Sequence, residues 1–194
     1  FVLMAGYYAC DSPGVARLDH TDHQWHLVAA QPSSSERYTK GYGDFTSVAV
    51  GSDGTAYVGD GFGHRILAYA PGSDPTAMGT VVAGTGTAGL AGDGGPATSA
   101  QVVQPHLLAG PGALYMFDSL TEWNHGSVAR RLDLASGVIT RIAGTGTMSS
   151  ADPAGPNPAI GQSATLVDLT IESMGVDQVS GLVALGLLRQ SPTT

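Results

Sequence analysis

Asp11, Asp60 and Asp118 recur at intervals of about 50 residues, and Tyr8, Tyr57 and Tyr115 each stand three positions before them. Each aspartate closes an apolar run, so three carboxylates at equivalent strand ends could converge and hold a cation through oxygen ligands, Ca²⁺ or Zn²⁺ being the candidates. The competing reading, which we favour, makes each aspartate an acceptor for the N–H groups of its following turn or for an arginine such as Arg65. That reading accounts for the repetition with no cofactor. His20, His23 and His26 also have the residue type for metal binding. Residues three apart on a strand face opposite sides, however, so an exposed hairpin tip is expected there.

Nucleophile chemistry finds little support. Ser12 and Ser119 lie outside any Gly-x-Ser-x-Gly elbow, and the single cysteine, Cys10, has no basic neighbour in sequence to activate it. The cluster Asp93-Gly94-Gly95-Pro96 lacks the Lys-Ser/Thr pair and following helix of a phosphate loop, and reads as a turn. Trp123, Asn124 and His125 occupy the one markedly lengthened loop and are the candidate recognition surface. The net charge is −8, from 8 basic against 16 acidic residues, which disfavours nucleic acid as a partner.

These residues must be placed by short elements. Of 194 residues, 28 are glycine and 11 proline, and only 12% are charged. Such a composition predicts many short strands joined by turns, with no apolar run long enough to cross a membrane. Phe1 is not an initiator methionine, so a processed or partial chain is expected. Residues 1–10 and the runs starting at Val15 and Gln24 read as strands, followed by an irregular stretch to about Gly43. Residues 45–50, 55–60 and 65–69 follow, joined by the Asp53-Gly54 hairpin turn and a second turn at 61–64. The 81–87 segment reads as the end of a strand packed so closely that only Gly or Ala fits on one face. Strands over 107–109, 113–118, 128–133 and 138–142 repeat the order, and 173–177 and 182–185 begin it again.

Ile142-Ala143-Gly144-Thr145-Gly146-Thr147 copies 82–87 almost letter for letter, the mark of a repeat. Four strands per unit at a period of ~40–50 residues fits propeller blades better than a solenoid. The blade-like units are 1–43, 44–104, 105–168 and 169–194. The fold class expected is all-β, with four-stranded antiparallel blades.

At 83–100 and 143–147 the sequence resembles NHL-repeat β-propellers of the extracellular bacterial type. The matching residues are Val48-Ala49-Val50, Asp53-Gly54, Tyr57-Val58-Gly59-Asp60 and His64-Arg65-Ile66, then the connection Gly-Asp-Gly-Gly-Pro-Ala-Thr-Ser-Ala at 92–100. The resemblance is strongest over 45–147 and weak beyond Met148. It implies that Arg65, Asp93, Gly94, Gly95 and Pro96 are structural-motif residues. It further implies about three blades and part of a fourth of a six-bladed disc, with the remainder coming from the same or another chain. Val15-Ala16 and Val128-Ala129 replace the Arg-Ile step, so units one and three are expected to lack a polar link between strands. The function implied is a non-catalytic scaffold that binds a protein or glycan within a larger secreted or surface protein. The alternative is a metal-dependent lyase or hydrolase with an axial site, where His64, His106 and His125 would be ligands by analogy.

Overall fold

The computed structural model describes residues 3–5, 14–18, 21–33, 36–41, 43–119, 127–146, 163–166 and 171–187. Its framework is all-β. The strands β1 (Leu3–Ala5), β2 (Val15–Leu18) and β3 (Trp25–Ala29) form a first antiparallel sheet. The second sheet is a four-stranded meander of β4 (Phe45–Val50), β5 (Ala56–Asp60), β6 (Arg65–Tyr69) and β7 (Thr80–Ala83). The third repeats that order with β8 (His106–Gly110), β9 (Ala113–Ser119), β10 (Ser127–Asp133) and β11 (Ile139–Ala143). A hairpin of β12 (Ile171–Val176) and β13 (Val183–Leu187) forms a fourth, two-stranded sheet.

The sheets stack face to face, and strand periodicity explains how. On β5, Ala56 and Val58 join Val15 and Ala29 of the first sheet in one core, whereas Tyr57 points the other way. There Tyr57 meets Leu107, Leu114 and Met116 of the third sheet. On β9 the same alternation sends Leu114 and Met116 back to the second sheet, and Ala113 and Tyr115 forward to Ile171 and Met174. Side chains that alternate faces along a strand therefore build three cores between four sheets. The aligned Tyr57 and Tyr115 both face the sheet that follows. The first strands also lie in sequence against one another, β1 on β4, β4 on β8 and β8 on β12.

Between β5 and β8 the approach is so close that a side chain would not fit. A Cβ on Gly59 would stand 2.4 Å from the Pro105 carbonyl oxygen, which accepts hydrogen bonds from Ser47 Oγ at 2.7 Å and Thr46 Oγ1 at 3.0 Å. The Asp53-Gly54 turn forms as expected. Gly54 adopts φ +84°, and Asp53 Oδ1 accepts from the Thr55 N–H at 3.0 Å.

Two expectations are corrected. The stretch expected to stay irregular to Gly43 contains a helix, α1 (Glu36–Lys40), started by a reciprocal box in which Ser33 N and Oγ both donate to Glu36 Oε2. The repeated Ala-Gly-Thr-Gly stretch is not all strand, because β7 and β11 end at Ala83 and Ala143. Gly84 and Gly144 then take positive φ (+94° and +80°) and turn out of the sheet. Close packing contributes as well: a Cβ would collide with the carbonyl oxygens of His64 and Ser127 respectively. In both repeats the N–H of that glycine donates to a short 3-10 turn in the next connection, Gly84 to Ala97 and Gly144 to Ala164.

Candidate functional site

The strand-ending aspartates are buried joints. Asp60 has no exposed surface, and its Oδ1 accepts from the N–H groups of Gly43 and Gly63, each at 2.9 Å. Gly43 lies just before β4 and Gly63 in the β5–β6 turn, so one oxygen ties the entry to β4 to the turn after β5. The other oxygen, Oδ2, has no hydrogen-bond partner. Burial dominates and pushes the carboxyl up to about 6, while the two backbone donors pull the other way. Arg65 and His64 act on it only through their charge. Asp118 is equally buried and accepts from Val103 N and Gln104 N, both at 2.7 Å, just before β8. In each repeat the aspartate thus holds the segment that leads into the first strand of its own sheet.

A second polar joint lies in the 92–100 connection. Its backbone lays an edge against β11: Gly94 N donates to Ile139 O at 2.7 Å, Ile139 N to Gly95 O at 3.1 Å, and Pro96 bridges Val138. Asp93 then meets two arginines of the third sheet. Arg141 Nε donates to Asp93 Oδ2 at 2.8 Å. Arg130 Nε stands 3.0 Å from Asp93 Oδ1, an ion pair without hydrogen-bond alignment. Arg130 is fully buried and also donates to the carbonyls of Gln101 and Leu90, the first at 2.7 Å. Arg141 reaches Leu90 as well, at 3.2 Å. Burial lowers the Arg130 guanidinium below its ordinary value, and Asp93 and Asp118 counteract this through their charge.

The Val128-Ala129 step itself supplies no polar link between strands, but Arg130, two residues later, ties the third sheet to the preceding connection. The register shows why. Asp60 pairs with Arg65 and Asp118 with Val128, so Arg130 occupies the position of Leu67 in the second sheet. Arg130 was not foreseen in the sequence. The available signal was an Arg-Arg pair inside an otherwise apolar strand, downstream of an acidic connection.

The remaining candidates are dispersed. Arg65 sits under Gly86 and contacts Met78 Sδ at 4.0 Å; it makes no hydrogen bond to Asp60. His64, in the left-handed region at φ +50°, donates from Nδ1 to Val103 O at 3.0 Å. His106 stacks on Phe117 with ring centres 4.7 Å apart. His23 and His26 are exposed near the β2–β3 turn, and His26 Nε2 contacts Asp22 at 3.0 Å. Among the described residues, no group of three or more His, Cys, Asp or Glu side chains is assembled as a ligand set. Also among them, no helix is long and apolar enough to cross a membrane. Cys10, Asp11, Ser12, His20, Trp123, Asn124 and His125 lie outside the described residues.

Chemically, Asp60 is a carboxyl raised to about 6, toward the range in which a general acid or base works. It has no surface, so no substrate reaches it in this arrangement. No protein-family model matches the chain, and no curated protein matches it either. The NHL resemblance therefore rests on the residues quoted for it.

Proposed function

We propose that the chain is part of an NHL-type β-propeller, a non-catalytic scaffold that presents loops to a protein or glycan partner within a larger extracellular or surface protein. One observation carries the reading. Among the described residues, the fully buried charged side chains Asp60, Asp118 and Arg130 all bind backbone or opposite charge between elements. Groups engaged in that way stiffen a framework and leave recognition to its loops. The propeller arrangement is supported by the two four-stranded meanders and by the run of adjacent first strands. On this reading further blades cover the last hairpin, where Val179 is 90% and Leu182 73% exposed.

Metal analysis of the dialysed protein, together with native mass spectrometry, tests the proposal. The expected result is metal below stoichiometric level and a chain that self-associates or is stabilised by further blades. A stoichiometric zinc or calcium ion that survives dialysis would instead support the lyase or hydrolase reading. A stable, compact monomer would remove the case for missing blades.

A further inference from the structure

A cavity of about 730 Å³ opens between the first and second sheets, on the side of the β4–β5 and β6–β7 turns. Its size falls within the range of pockets that hold small ligands, roughly 300–1,000 Å³. One wall comes from β2 and β3, with Arg17, His26 and Leu27; the other comes from the turns and includes Asp53, Tyr69 and Pro71. Arg17 and His26 are paired directly across the β2–β3 ladder, which puts them on the same face of the sheet. Arg17 is the one permanent cation among the described lining residues. A guanidinium has five N–H donors in a fixed fork, more than one partner can use, and so can keep a protein contact while binding a planar anion.

The opposing carboxylate is already engaged. Asp53 Oδ1 accepts from Thr55 N at 3.0 Å and Oδ2 from Thr55 Oγ1 at 2.8 Å, and these bonds hold it ionised by lowering its pKa. Its charge disfavours a second anionic group on that wall. Tyr69, only 2% exposed, provides an aromatic floor, and Pro71 lines the same cavity.

We propose that this cavity binds a small amphipathic monoanion, with its carboxylate or sulfonate on Arg17 and its aromatic or alkyl body against Tyr69 and Pro71. The inference uses only the first two sheets, so it stands whether or not the sheets close into a propeller.

The probe is 8-anilinonaphthalene-1-sulfonate, titrated by fluorescence into the intact chain, with phenylacetate as competitor and neutral 1-anilinonaphthalene as control. Saturable 1:1 binding displaced by phenylacetate is expected. Arg17→Met should weaken the sulfonate about tenfold, the loss of one charge-assisted contact. It should leave the neutral probe unchanged, with Arg17→Lys intermediate. Ala70→Trp, a substitution on the exposed turn that lines the cavity, should abolish both signals while the circular dichroism spectrum and Tm stay as in the parent. Equal sulfonate affinity in Arg17→Met would overturn the anion assignment. Binding that survives Ala70→Trp would place the dye on another apolar patch and remove the site. If Arg17→Met fails to fold, phenylacetate displacement and the Ala70→Trp result still decide the matter.

Discussion

Asp60 holds two backbone N–H groups with one oxygen and leaves the other oxygen buried and unpartnered. Its raised value of about 6 means that the folded protein binds this proton more tightly than the unfolded chain, where an aspartate titrates near 3.9. The stability that Asp60 contributes is therefore fully present below the unfolded value and is lost as pH rises through about 6. Asp60→Asn keeps a carbonyl oxygen for Gly43 and Gly63 and cannot ionise. Urea unfolding at pH 4.5 and pH 7.5 should show the variant gaining on the parent between the two by on the order of 1–3 kcal/mol. Parallel pH profiles for the two proteins would mean that Oδ2 is solvated or paired in solution. The strand-ending aspartates were legible as a repeated feature, because their spacing and the preceding tyrosines are visible in the letters. Their partners were not, since Gly43, Val103 and Gln104 belong to connections whose path no periodicity reveals.

At the scale of elements, the strands were readable because their residues alternate between two cores, and tight turns such as Asp53-Gly54 mark their ends. The connections were harder. Ser33 and Glu36 form a recognisable capping box, yet the surrounding serines suggested only a polar loop. The 92–100 connection was identified as a turn, but its bond to the third sheet depends on Arg130 and Arg141, many residues downstream. The second sheet carries Leu67 and Val81 in the corresponding positions, and its incoming connection, which includes α1, lacks the Gly-Asp-Gly-Gly-Pro pattern. An acidic connection and a pair of arginines thus occur together. Asp93→Ala would leave the buried Arg130 guanidinium without its ion-pair partner, with only the charge of Asp118 to offset its burial, at a cost of about 3 kcal/mol. Replacing Arg130 with leucine in the Asp93→Ala background installs the residue that the second sheet carries at that position, Leu67, and should recover part of that loss. Chemical denaturation of the two single variants and the double variant measures the coupling. Additive losses would show that the ion pair is not what joins this connection to its sheet.

At the largest scale, the described residues form a row of sheets, of which the second and third bury both faces. Tyr57 and Val58 are both buried although they point to opposite sides of β5, because a neighbouring sheet covers each side. On β12–β13 only Ile171 and Met174 are buried, both in the core shared with the third sheet. Leu187 is 39% exposed, and Val179 and Leu182 more so. Apolar residues left uncovered beside a pairable strand invite association with another sheet. If a further sheet packs here, whether from another copy or from additional chain, the contact should be sensitive to charge placed at the exposed apolar turn. Val179→Lys with Leu182→Lys alters two exposed positions at the β12–β13 turn and leaves the three inter-sheet cores intact, so Tm should shift by no more than a few degrees. Sedimentation velocity over a concentration series should show the parent chain self-associating and the double-lysine variant remaining monomeric. Identical, concentration-independent sedimentation of both would mean that this hairpin face tolerates water and needs no further sheet.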